Sequence, residues 1–169
     1  YIKKSFSNRP RYDVYFQSIL EIASLKKDTA NIIRVHNEYN KYNKAPVNWI
    51  ISSGALYNSK YDVVKIIHFL DKGLKEFPND SLIVQQKLLY QAQNYFNKGE
   101  LRNAITIYTA VENRFPNNQL AVENLGICYF NLGNYKSALH YLQKSNTTTT
   151  SKIEEEKIKK LIDISKNRI

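Results

Sequence analysis

The chain has 169 residues, 43% hydrophobic and 24% charged, with five Gly, four Pro, one Cys and no Met. A single cysteine excludes an intramolecular disulfide and a cysteine-based zinc site, and no apolar run approaches the roughly 18 residues needed to span a membrane. The net charge of +10 favours acidic partners and opposes self-association at low salt.

In chain order, Lys3, Lys4, Arg9 and Arg11 precede the first acid, Asp13, so residues 1–11 read as a short basic arm. Residues 12–46 hold two amphipathic stretches, Tyr12 to Lys26 and Thr29 to Asn43, with Asp28 placed to cap the second. They have the spacing of a helical hairpin but almost no further signature, and read as a degenerate repeat or a helical N-terminal cap. Residues 47–150 repeat themselves. Ala92, Tyr95, Gly99, Leu101, Ala104 and Tyr108 recur 34 residues later as Gly126, Tyr129, Gly133, Tyr135, Ala138 and Leu142. Small residues permit close helix contacts, so Ala92 is expected to face Ala104, and Gly126 to face Ala138, with the neighbouring aromatic residues filling the space beside them. Gly99 and Gly133 fall between the two helical stretches, where a left-handed cap is easiest for glycine.

A third copy precedes these at a spacing of 38, Gly54, Tyr57, Ile66, Leu70 and Phe77-Pro78-Asn79 anticipating Ala92, Tyr95, Ala104, Tyr108 and Phe115-Pro116-Asn117. The four added residues, about one helical turn, are assigned to Ser81–Val84, with Asp80 or Ser81 as cap. Ile66 replaces a small residue, so this hairpin is expected to cross more widely. Thr147 to Thr150 breaks the pattern, and Ser151-x-x-Glu154 is a capping box opening a last helix within 151–169. Glu155/Lys159 and Glu156/Lys160 lie on its exposed side, and Ile158, Leu161 and Ile162 form an apolar stripe suited to covering the last repeat.

A 34-residue unit with small-x2-Tyr in its first half, Ala-x3-aromatic in its second and Pro near its end resembles the tetratricopeptide repeat. The resemblance covers roughly 47–150 and implies an all-α, right-handed solenoid of helical hairpins, here of nine helices with a C-terminal capping helix, one continuous core and no catalysis. It implies a protein-interaction scaffold that binds a peptide or helix of a partner. The endings Glu76-Phe77-Pro78-Asn79 and Arg114-Phe115-Pro116-Asn117 resemble those of bacterial cell-envelope members of the family, which implies a periplasmic or membrane-associated setting, reached through the partner or an N-terminal anchor upstream of Tyr1. A cytoplasmic setting is the alternative. One variety of the family grips a C-terminal carboxylate with Lys and Asn on successive inner helices. Here only Asn124 matches, Leu89, Gln93, Glu154 and Ile158 standing in the other places.

Rotating each repeat's first helix by 100° per residue separates the signature residues from a second stripe, read as lying opposite. It comprises Gln86, Leu89, Gln93, Phe96 and Asn97 in one copy and Leu120, Glu123, Ile127, Phe130 and Asn131 in the next, with Asn48, Ile51, Ala55 and Asn58 in the upstream copy. Apolar anchors mixed with amides suit a bound peptide or helix; packing between adjacent repeats is the competing role for Leu89, Phe96 and Ile127. His36, His68 and His140 have no ligand-spaced His, Asp or Glu on their own helical face, no nucleophile motif or Gly-rich phosphate loop is present, and neither metal nor cofactor is expected. Nucleic-acid or anionic-surface binding through the basic surface is the alternative function, with the thirteen Tyr and seven Phe as stacking partners.

Overall fold

Four helix-to-helix turns of this chain share one backbone geometry, and only two of them use glycine. The computed structural model describes residues 12–116, 118–146 and 152–169. Among them are nine helices and no strand: α1 (Tyr12–Leu25), α2 (Thr29–Asn40), α3 (Pro46–Asn58), α4 (Val63–Glu76), α5 (Ser81–Asn97), α6 (Leu101–Arg114), α7 (Gln119–Asn131), α8 (Tyr135–Asn146) and α9 (Lys152–Lys166). The basic arm and the capping-box residue Ser151 lie outside the described residues.

Helices α1, α3, α5 and α7 all end in a left-handed residue: Lys27 (φ 55°), Lys60 (φ 66°), Gly99 (φ 75°) and Gly133 (φ 74°). In each, that residue's N–H donates to the carbonyl three residues back, and the following N–H donates to the carbonyl five back: Lys27 to Ser24 and Asp28 to Ala23, Lys60 to Tyr57 and Tyr61 to Leu56, Gly99 to Phe96 and Glu100 to Tyr95, Gly133 to Phe130 and Asn134 to Tyr129, at 2.9–3.1 Å. This is the Schellman arrangement, which satisfies carbonyls that a helix end would leave open. The hairpin of residues 12–40 therefore turns as the later ones do, although its sequence lacks their signature. Side chains of Asp28, Asp62, Asp80, Asn118 and Asn134 accept from the N–H three residues on, at 2.8–3.1 Å, and so cap α2, α4, α5, α7 and α8. The four extra residues are where the spacing put them: α5 has 17 residues against 13 in α3 and in α7, with Asp80 as its cap.

The described chain forms two compact units, divided within α5 after Lys87. In the first, Phe16, Leu20 and Ala23 of α1 are buried, as are Ile32, Val35 and Tyr39 of α2, Trp49 and Leu56 of α3, and Ile66, Phe69 and Leu70 of α4. The Phe16 and Tyr39 rings stack at 4.1 Å. The close helix contact of α3 and α4 is made by Gly73, where an added Cβ would lie 2.8 Å from the Trp49 ring, and not by Gly54, which has open space beside it.

In the second unit Leu89, Ala92, Ala104, Tyr108, Val111, Ala121, Leu125 and Cys128 form one buried cluster, and Ala138, Leu142, Ile158 and Ile162 another. Ala92 and Ala104, read from the sequence as facing one another, are both buried in the first of these clusters. The atoms nearest a Cβ built on Gly126 belong to Leu142, its side chain at 2.7 Å and its backbone nitrogen at 3.1 Å. The tight partner of Gly126 is Leu142, one turn beyond the expected Ala138, because α8 presents its large residue where the glycine leaves room. Helix α9 covers α8 through Ile158 and Ile162, with Leu161 half-buried beside them, and carries the expected Glu155–Lys159 ion pair at 2.6 Å. Glu156 and Lys160 form no corresponding pair. Lys144 of α8 reaches back to Glu112 of α6 at 2.6 Å.

Candidate binding surfaces

The stripe read along α5 and α7 flanks the small residues instead of opposing them. Phe96 and Phe130 stand four residues after Ala92 and Gly126, which is about 40° of rotation, and Leu89 stands three before Ala92, about 60°. Leu89 is consequently a core residue, 8% exposed within the α5–α6–α7 cluster, and drops out of the groove. Phe96 is half-buried against the same cluster, and Ile127 and Phe130 are half-buried against the α8–α9 cluster, where the Phe130 ring meets Tyr135 edge-on at 5.6 Å. The open members are Leu120, 53% exposed, with Asn97 and Asn131; Gln86, Gln93 and Glu123 are half-buried. Gln93 donates to Asn97 at 2.8 Å, and its carbonyl oxygen accepts from Tyr108 at 3.5 Å. Aromatic faces half-sunk in the core, rimmed by exposed amides, can take an apolar side chain and hold the backbone that carries it. In the upstream copy Asn48 and Ala55 are buried and Asn58 is exposed.

A second concavity, which no motif announced, lies in the first unit: a cavity of about 740 Å³ lined by Arg34, Glu38, Asn40, Lys44, Trp49 and Glu76 among others. Asn40 donates to Glu76 at 2.9 Å, and Glu38 pairs with Lys41 at 2.9 Å. Behind Trp49 sits His36, fully buried, its ring edge-on to Trp49 at 4.3 Å and to Phe69 at 4.8 Å, with Nδ1 2.9 Å from the Ser52 hydroxyl. His36 Nε2 and Trp49 Nε1 are buried with no hydrogen-bond partner. Burial pushes the His36 imidazole down to about 4, against the opposing pull of the Asn48 backbone and the Glu76 charge. Of the three histidines, His68 and His140 are the exposed ones; His36 is neither on the surface nor fully satisfied.

Cys128 is buried, and burial raises its thiol to about 11. Among the described residues no group of His, Cys, Asp or Glu could hold a metal ion, and no helix is long and apolar enough to cross a membrane.

Residues 88–118 match the tetratricopeptide repeat family model; they comprise the second half of α5, the Gly99 turn, α6 and the Phe115-Pro116 ending. No curated protein matches the chain. The matched hairpin recurs 34 residues on in α7 and α8 with the same turn hydrogen bonds, which extends the likeness to the tetratricopeptide repeat from the matched segment to α5–α8.

Proposed function

We propose that the protein is a scaffold that grips a peptide or helical segment of a partner protein along the flank of α5 and α7. Tetratricopeptide repeats generally mediate contacts between proteins without catalysing reactions. The observation that carries the reading is the recurrence of a half-exposed Phe, Phe96 and then Phe130, 34 residues apart with exposed Asn97 and Asn131 beside them. A partner with two apolar anchors at the spacing of neighbouring repeats would meet the same aromatic wall twice. The setting we propose is a bacterial cell-envelope complex, on the strength of the Phe77-Pro78-Asn79 and Phe115-Pro116-Asn117 endings, with any membrane association supplied by the partner or by an anchor upstream.

The test is a pull-down from the native cells with the wild type, a Phe96→Ala/Phe130→Ala variant, and a variant with Lys3, Lys4, Arg9 and Arg11 neutralised. Truncating aromatic interface residues commonly costs about 2 kcal/mol or more, so the aromatic variant should lose the partner while keeping its helical spectrum. Loss through the basic arm alone, with steep salt-dependent binding of a single-stranded oligonucleotide, would transfer the function to nucleic acid or another anionic surface. Fractionating the same cells tests the compartment.

A further inference from the structure

The cavity of about 740 Å³ in the first unit is lined by charges of both signs that the protein itself does not neutralise. Glu38 pairs with Lys41, but among the described residues Arg34, Lys44 and Glu76 have no ion-pair partner. Arg34 donates to the Asn31 amide oxygen, and Glu76 accepts from Asn40, a residue 7% exposed that holds the carboxylate in place. Glu76 is also the last residue of α4, the negative end of a helix, where a carboxylate is repelled and a base is preferred. The aligned residue of the next hairpin, at the end of α6, is Arg114, which follows that preference. Departures of this kind concentrate at functional sites. Lys44 stands two residues before α3, whose N-cap Ala45 makes no side-chain hydrogen bond to the first N–H groups, so positive charge and a helix start adjoin there.

We propose that this cavity binds a short free peptide of a few residues, its ammonium against Glu76 and its carboxylate against Arg34 and Lys44. A ligand with one charge of each sign satisfies both poles, which an anion or a cation alone would not. The length fits. Asn40, which positions Glu76, lies six residues beyond Arg34, about 9 Å along α2, and a three-residue peptide spans roughly 10 Å. The volume lies within the roughly 300–1,000 Å³ of small-molecule sites. Ile33 and the Trp49 ring supply an apolar wall for small side chains, and the Asn37 amide is placed among them for the peptide backbone. An internal segment of a partner protein has neither terminus free, so the chemistry of this site differs from that of the grip along α5 and α7 and stands or falls separately.

Trp49 is the chain's only tryptophan, and its indole N–H, which has no hydrogen-bond partner, gives a single resonance from the cavity wall. Titrating the isotope-labelled full chain with trialanine should move that resonance saturably, with a dissociation constant on the order of 1 mM. N-acetyl-trialanine and trialanine amide, each stripped of one charge, should bind about tenfold more weakly or worse. Glu76→Gln should bring trialanine down to the level of the acetylated peptide and leave the acetylated peptide itself unaffected; Arg34→Gln/Lys44→Gln should do the same with respect to the amide. All three side chains are exposed, so the circular dichroism of the variants should match the wild type. Neither a saturable shift nor heat of binding with trialanine up to about 20 mM overturns the proposal. So does equal binding of either blocked peptide, which would make the cavity a site for an anion alone or a cation alone, and so does a charge variant in which the free peptide keeps its advantage.

Discussion

His36 and the two left-handed lysines are the residues whose chemistry most clearly departs from what their type prefers. A base whose folded pKa is lowered to about 4 from its ordinary 6.5 binds its proton more readily in the unfolded chain, so stability is complete above pH 6.5 and is lost as pH falls toward 4. Full titration across that window corresponds to about 3 kcal/mol. Replacing His36 by Phe should remove this slope: in urea titrations between pH 7 and 4 the wild type should lose stability relative to the variant as pH falls, and parallel curves would show that His36 is not the titrating group. Lys27 and Lys60 hold φ values of 55° and 66°, a region that costs a residue with a Cβ about 1–2 kcal/mol. Part of that cost is offset by the freedom a lysine does not have to give up, so Lys60→Gly should gain about 1 kcal/mol net. For a chain of this size the melting temperature would rise by about 2–4 °C. No rise would mean the turn is relaxed in solution. These two turns also explain why the first hairpin is almost illegible in the sequence. A reader scanning for glycine at the turn finds it at 99 and 133 and passes over Lys27, since nothing in a lysine announces a left-handed residue.

At the scale of the helix pair, three helical glycines make opposite predictions. Gly126 and Gly73 each leave no room for a Cβ, the first against Leu142, backbone included, and the second against the rigid Trp49 ring. Gly126→Val and Gly73→Ala should therefore destabilise by about 1–3 kcal/mol. Gly54 has nothing within 4 Å, and Gly54→Ala should stabilise α3 by about 1 kcal/mol through helix propensity alone. Thermal melts of the three variants check the packing register, and any exchange of sign refutes it. The repeat itself was legible because small residues and aromatics recur at fixed intervals, and so was the added turn of α5. What the interval could not reveal is which small residue makes the contact: Gly54 held the aligned position, yet Gly73 three residues after Leu70 does the work, as Val111 and Ser145 are buried three after Tyr108 and Leu142. The same limit moved Leu89 out of the groove. A helical wheel orders directions around one helix, and only the neighbouring helices decide how far around it the core extends.

At the scale of the molecule, α9 closes the second unit by burying Ile158 and Ile162 against Ala138 and Leu142. A chain ending at residue 146 should expose that face and aggregate on dilution from denaturant; a truncated protein that stays monomeric with unchanged melting would show that α8 needs no cover. The cavity lined by Arg34, Trp49 and Glu76 was invisible in the sequence, since the three consecutive helices α2, α3 and α4 line it without any motif. Cys128 lies at the other extreme of accessibility, wholly enclosed in the α5–α6–α7 cluster with its thiol held protonated far above neutral pH. As the chain's lone cysteine it is a natural clock. An alkylating reagent can reach it only during excursions in which α7 parts from its neighbours, so the labelling rate counts the openings of one repeat in a protein that has otherwise not been altered at all.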